Sequence, residues 1–200
     1  MSLLARPVVL KGQLVRLEPL SQDHAQGLYN RGRARDDWAY LPRACFIDLA
    51  DTRQWIDEAL ATPGQLPFAI VETGKGKVVG STRYLNIRPE HRGLEIGWTW
   101  LGQEWQRTGV NTETKLLLLT HAFERLGCVR VEFKTDARNE RSQRALERIG
   151  ATREGVLRKH MIVQGEYARD SVFFSIVDSE WVTVRQHLQA LAAEPAPGRG

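Results

Sequence analysis

Between Leu94 and Gly150 the spacing of apolar residues changes period repeatedly, and this order of periods restricts the fold more than any other feature of the chain. Leu94, Ile96, Trp98 and Trp100 alternate, which places them on one face of a strand with Glu95, Gly97 and Thr99 on the other. Leu116, Leu119, Phe123 and Leu126 then recur at three, four and three residues, the stripe of a helix running from about Thr112 to Leu126. Val129 to Thr135 reads as a second strand and Asn139 to Ile149 as a shorter helix, with Gly127 and Gly150 where left-handed C-caps belong. Strand, helix, strand, helix in this order demands a parallel crossover.

The flanks add antiparallel elements. Leu14, Arg16 and Glu18 alternate with Val15 and Leu17 in an opening strand that Pro19 ends. Ser21 caps a helix reaching about Asn30, Asp36 to Leu49 is irregular, and Asp51 or Thr52 caps a helix carrying Trp55, Ile56, Ala59 and Leu60. Phe68 to Glu72 and Lys77 to Leu85 form a hairpin around Gly74–Gly76. Val156 to Val163 and Ser171 to Val177 form another, and Ser179 caps a last helix through Ala192. The chain therefore reads as one α+β domain over residues 1–192, with 193–200 a disordered tail.

Composition excludes several classes. At 200 residues and 42% hydrophobic the chain is long enough for a core without staples. Its apolar runs, none longer than the four residues of Leu116 to Leu119, fall far short of a membrane span, and no secretory leader is read at Met1–Pro7, so the cytoplasm is the expected compartment. Two cysteines, Cys45 and Cys128, without clustered partners indicate neither a disulfide framework nor a metal site. The net charge of +4 is scattered among acids rather than gathered into a stripe, which disfavours nucleic acid as a partner.

Chemistry concentrates at Trp105-Gln106-Arg107-Thr108-Gly109-Val110-Asn111-Thr112-Glu113, between a strand and a long helix. A turn there exposes unpaired N–H groups at a helix N-terminus, where the macrodipole favours an anion, and Gly109 admits close backbone approach. The segment Gln106 to Asn111 resembles the pyrophosphate loop Gln/Arg-x-x-Gly-x-Gly/Ala of the GCN5-related N-acetyltransferase family. Thr112-Glu113 is a pair common in its RimJ/RimL-type branch. Asn139-Glu140-Arg141-Ser142, with Ile149-Gly150-Ala151 after it, is similar to a second block of the same family. The resemblance spans roughly Leu14 to Val177 and implies a mixed, mostly antiparallel central sheet with a parallel, splayed strand pair flanked by helices.

It further implies acetyl-coenzyme A as donor. Its pyrophosphate would lie on Gln106, Arg107, Thr108, Gly109, Val110, Asn111 and Thr112; Trp100 and Leu101 would pair with the pantetheine arm, Asn139 would meet the arm from the other side, and Ser142 would lie near the sulfur. Arg138, Arg141, Arg144 and Arg148 either help a phosphate or form a solvated face. Two positions depart from the family pattern: Asn111 stands where Gly or Ala is usual, and Leu146 where many relatives carry a Tyr acid. Ser142 is then either the substitute acid or a residue of helix capping or packing. Glu95 is either the general base or a structural ion pair, with His24, His91 and His160 as lesser candidates. The acceptor would be a primary amine: a protein N-terminus, an amino acid or a small amine. The competing readings are a catalytically silent acyl-coenzyme A-binding module and a basic nucleic-acid binder. The terminal hairpin and the Trp181 helix suggest a homodimer.

Overall fold

The computed structural model describes residues 5–193. The tail expected from 193 onward lies outside them except for Ala193, which ends the last helix. Eight strands form one sheet in the order β1-β2-β3-β4-β5-β6-β8-β7. They are β1 (Leu10–Lys11), β2 (Val15–Pro19), β3 (Leu66–Glu72), β4 (Val78–Arg88), β5 (Gly93–Leu101), β6 (Arg130–Asp136), β7 (Thr152–Val163) and β8 (Tyr167–Val177). All neighbours pair antiparallel except β5 and β6, which are parallel, as the switch of period requires. The helices are α1 (Ala25–Arg31), α2 (Leu49–Ala61), α3 (Gly109–Thr120), α4 (Glu140–Arg148) and α5 (Trp181–Ala193).

The sheet buries both faces. Val15, Leu17, Phe68, Tyr84, Leu94, Ile96, Val131 and Phe133 pack with Leu118 and Leu119 of α3 and Trp181 and Leu188 of α5. On the opposite face Ala69, Val71 and Trp100 meet Leu28 of α1, Trp55 and Ile56 of α2, and Trp38 and Phe46 from the irregular segment between those helices. Edge-to-face contacts at 4.8 Å (Trp38–Phe46) and 5.3 Å (Phe46–Trp55) knit that second core.

Four local expectations change. α2 starts at Leu49 because Asp48, not Asp51 or Thr52, accepts the capping bond, from Asp51 N at 2.7 Å; Thr52 is buried instead. α3 begins at Gly109 and ends at Thr120, with a π-helical turn at His121–Arg125. There Tyr84 on β4 donates its hydroxyl to the Leu118 carbonyl at 2.6 Å, which also accepts from His121 N at the helix end. Leu118, outside the expected stripe, is fully buried beside Leu119, and Leu116 packs against the same core only partly buried. Trp181 stacks on Phe123 at 5.1 Å inside the chain, so its ring offers no surface to a second copy. Gly127 and Gly150 do take positive φ, 67° and 87°, at their helix ends.

α3 is tied to the start of the sheet by one carboxylate. Glu113 Oε1 accepts from Gln13 N at 2.8 Å, and Oε2 from Leu14 N at 2.7 Å and Val15 N at 2.8 Å. Glu113→Ala is expected to leave these donors unmatched and to lower stability by about 3 kcal/mol, measured by urea denaturation, with Glu113→Gln recovering part of the loss.

Candidate active site

The parallel pair β5–β6 is short. Gly93, Leu94 and Glu95 sit opposite Arg130, Val131 and Glu132, and beyond that point the strands part. A bulge in β5 accompanies the parting: Ser81 of β4 faces Trp100 and Arg83 faces Gly97, so two residues of β5 oppose Thr82 alone. The bulge was signalled by Gly97, but the left-handed residue is Trp98, at φ 51°. The extra residue also reverses the facing of the strand beyond it. Trp100 turns into the second core, 5.1 Å from Trp38, so the four alternating residues do not share one face. Trp98 leaves the core altogether. Past Glu95, the edge of β5 that faces β6 has no strand partner, which is a template for an extended, amide-bearing chain.

A cleft of about 630 Å³ runs through this opening. One end is the start of α3. Thr108 caps it, accepting from Val110 N at 3.3 Å and donating to Trp105 O at 2.7 Å, and the first-turn amides point outward as helix geometry dictates. Arg107 takes the left-handed conformation, φ 59°, so Asn111 needs no unusual angle and lies in the first helical turn. A Cβ at Gly109 would meet only Leu14 Cδ1, the flexible tip of a side chain, at 2.9 Å. Arg141, Arg144 and Arg148 of α4 line the same end, Arg141 bonding Gln106 Oε1 at 2.8 Å and Arg148 bonding Thr112 Oγ1 at 2.9 Å. All three stay exposed to solvent: Arg141 and Arg148 reach across to the turn and first residues of α3, Arg144 pairs with Glu140 at the surface, and Arg138, just before α4, pairs with Asp136 and covers Tyr167. Cations and helix dipole together suit a polyphosphate.

In the middle of the cleft stand Trp100, Leu101, Asn139, Ser142 and Leu146. Asn139 caps α4, its Oδ1 accepting from Ser142 N at 3.0 Å, which leaves its amide nitrogen for a ligand. The cap reading for Ser142 is thereby overturned: that task belongs to Asn139. Leu146 lines the wall and has no proton to give.

The far end gathers Glu95, Trp98, Leu85, Met161 and Arg169 with Asp37, Tyr40, Leu41 and Pro42 of the irregular segment. Glu95 is 3% exposed; Oε2 accepts from Asn86 Nδ2 at 2.7 Å and Lys134 Nζ at 3.0 Å, while Oε1 lies beside Gly97. Arg83 is held between Trp55 and Trp98, 4.8 and 4.6 Å from their ring centroids, which steadies Trp98 at the rim. The β7–β8 turn anchors the irregular segment through Gln164 Nε2, which donates to Trp38 O at 2.7 Å and Leu41 O at 2.8 Å. Burial raises the Asp37 carboxyl above its usual value, against a hydrogen bond from Gln106 Nε2 at 2.6 Å. Gln106 therefore braces the turn before α3 against the far wall. His24, His91 and His160 do not line the cleft: His24 bonds Glu18 and Ser21, His91 is exposed, and His160 bonds Ser171.

Sequence reasoning passed over Lys115. It lies on the buried side of α3, 6% exposed, and lines the cleft; its Nζ donates to Thr99 Oγ1 at 2.8 Å, and burial pushes its amine down to about 7. A lysine four residues before the core residue Leu119 was the available signal.

These local bonds set two expected outcomes. Asn139→Ala is expected to cost about 1 kcal/mol through the lost cap, whereas Ser142→Ala leaves the melting temperature nearly unchanged. The Lys115 amine is depressed in the folded chain, to about 7 from 10.5. Between those values the unfolded chain holds a proton the folded one lacks, so stability gains with rising pH. Lys115→Met is expected to remove that slope from a plot of urea midpoint against pH.

The comparisons with known proteins accord with this geometry. The family described as "Acetyltransferase (GNAT) domain" matches residues 15–152. A GCN5-related N-acetyltransferase from Brucella melitensis is similar at 33% identity and a TM-score of 0.90, over 94% of this chain and 87% of that one. A spermidine N-acetyltransferase from Vibrio cholerae, solved with CoA and spermine, is 16% identical with a TM-score of 0.71 over 86% and 99% of the two chains, a likeness of fold. "Putative ribosomal N-acetyltransferase YdaF" of Bacillus subtilis (strain 168) is 34% identical over 106 residues, 53% of this chain; the match spans 57% of that relative's length. Among the described residues no helix is long and apolar enough to cross a membrane. The chain belongs to the GCN5-related N-acetyltransferase family.

Proposed function

We propose that this chain is an acetyl-coenzyme A-dependent N-acetyltransferase that acetylates a primary amine by direct attack, working in the cytoplasm as one domain over residues 1–192. The observation that carries the reading is the continuity of the cleft. It joins an arginine-lined helix N-terminus to a buried carboxylate through the gap between two parted strands. That donor set fits coenzyme A: the turn from Gln106 to Thr112 with Arg141, Arg144 and Arg148 for its phosphates, and the open edge of β5 at Trp100 and Leu101 with Asn139 for the pantetheine arm. Bound there, the cofactor supplies an activated acetyl thioester.

The acceptor must reach the bulge as a neutral amine. Glu95 Oε1, beside Gly97, takes its proton directly or through water, and Lys134 and Asn86 hold the carboxylate in place through Oε2. The departing thiolate needs a proton, and with Leu146 inert the hydroxyl of Ser142, one turn earlier on the same wall, supplies it. A protein N-terminus, an amino acid and a small amine all meet these demands. A homodimer is retained on a revised basis: β7 is an edge strand with Val156, Leu157 and Ile162 exposed.

Thiol release from acetyl-coenzyme A across an amine panel tests the activity. Donor binding without release for any amine would favour a silent acyl-coenzyme A-binding module. Ser142→Ala is expected to lower turnover about ten- to a hundredfold with donor affinity little changed. Gly109→Val touches only the flexible tip of Leu14 on the protein side, so it should stay folded while its branched side chain weakens acetyl-coenzyme A binding at least about tenfold in calorimetry. A monomer mass in light scattering would remove the homodimer.

A further inference from the structure

Lys115 enters the opening between β5 and β6 from above. Its Nζ is 2.8 Å from Thr99 Oγ1 on β5 and 5.9 Å from the centroid of the Phe133 ring on β6, so the amine bridges the gap where the strands have parted. Thr99 Oγ1 is in turn 2.8 Å from Thr82 Oγ1 on β4, which fixes the acceptor. Among the described residues Nζ has this one hydrogen-bond partner and no carboxylate. A lysine nitrogen has at least two hydrogens in either protonation state, so donor capacity remains, in a side chain that lines the cleft. A buried donor left unmatched is costly, and a leucine or methionine would fill the same space on α3 without that cost. Packing therefore does not account for a lysine here; an acceptor arriving in the gap does.

The chemistry of the gap says what kind of acceptor. The open edge of β5 suits an extended chain bearing amides, and α3, which carries Lys115, begins at the polyphosphate end of the same cleft. We propose that Lys115 donates a hydrogen bond to an acceptor oxygen of the acyl-pantetheine arm of coenzyme A, gripping the arm from the α3 side while the edge of β5 pairs with it. The inference rests on the acetyl-coenzyme A reading of the cleft. It adds a side-chain donor to a stretch otherwise held by backbone, and it explains why the amine tolerates burial without a counter-anion.

Calorimetry with coenzyme A, acetyl-coenzyme A and adenosine 3′,5′-bisphosphate separates the two readings, because the last ligand has phosphates and no arm. Lys115→Met is expected to weaken coenzyme A and acetyl-coenzyme A about tenfold, the size of one hydrogen bond, and to bind the bisphosphate as the unmodified protein does. Lys115→Gln, which keeps a donor, recovers part of the loss. An equal loss for both coenzymes assigns the contact to an amide oxygen, and a larger loss for acetyl-coenzyme A assigns it to the thioester carbonyl; either result supports the proposal. Unchanged affinity for all three ligands, or an equal fall for all three, overturns it, the second by showing that the helix rather than the donor was disturbed. If the unmodified protein binds none of the three, the cofactor reading fails and this one with it.

Discussion

The parallel ladder between β5 and β6 lasts for Gly93 to Glu95 against Arg130 to Glu132 and then stops. A sheet this size gains from every ladder bond it can form, so an interruption at its centre needs a cause and a use. The cause is the bulge opposite Thr82, which puts Trp98 in the left-handed region and turns the end of β5 away from β6. The use is the cleft, whose walls are the two parted strands and whose ends are the first turn of α3 and the buried Glu95. The other features of the site serve to keep this opening from collapsing.

Support comes from both faces of the sheet. Behind the bulge, Trp100 is locked among Trp38, Phe46 and Trp55, so the turned strand end is held by a dense aromatic cluster. In front, α3 is pinned at its start by Glu113 to the backbone of Gln13, Leu14 and Val15, and farther along by the Tyr84 hydroxyl on Leu118 O. Gln106 links the turn before α3 to Asp37 and to Arg141, so the two ends of the cleft and α4 share one set of hydrogen bonds. Loss of the aromatic cluster would free the strand end; loss of the Glu113 bonds would free the helix.

Electrostatics divides the cleft in the same way. Arginines dominate the end at the α3 N-terminus, where a dipole and exposed amides already favour anions. At the other end both signs meet, Glu95 paired with Lys134, with Arg169 and Asp37 on the same walls. Lys115 stands between these regions with a hydroxyl for a partner, and burial alone accounts for its depressed pKa.

The sequence alone determined the order of elements, the parallel crossover, the glycine stops at Gly127 and Gly150, and the placing of a glycine-bearing turn before α3. Each follows from local rules: apolar period, helix capping and the conformational freedom of glycine act within a few residues and leave their mark in any one stretch of chain. Tertiary structure decided the rest. One extra residue in β5 moved Trp100 across the sheet, a shift of register that depends on how β4 pairs rather than on β5 itself. The reach of Arg141 to Gln106 and of Arg148 to Thr112 depends on where α4 docks. The pairing of Glu95 with Asn86 and Lys134 joins three separate strands or their ends, and Gln164 reaches Trp38 across 126 residues of chain. Lys115 passes for an ordinary helix residue until the sheet, by parting beneath it, leaves its amine buried beside an opening; burial is a property of the packed whole, and no local pattern carries it.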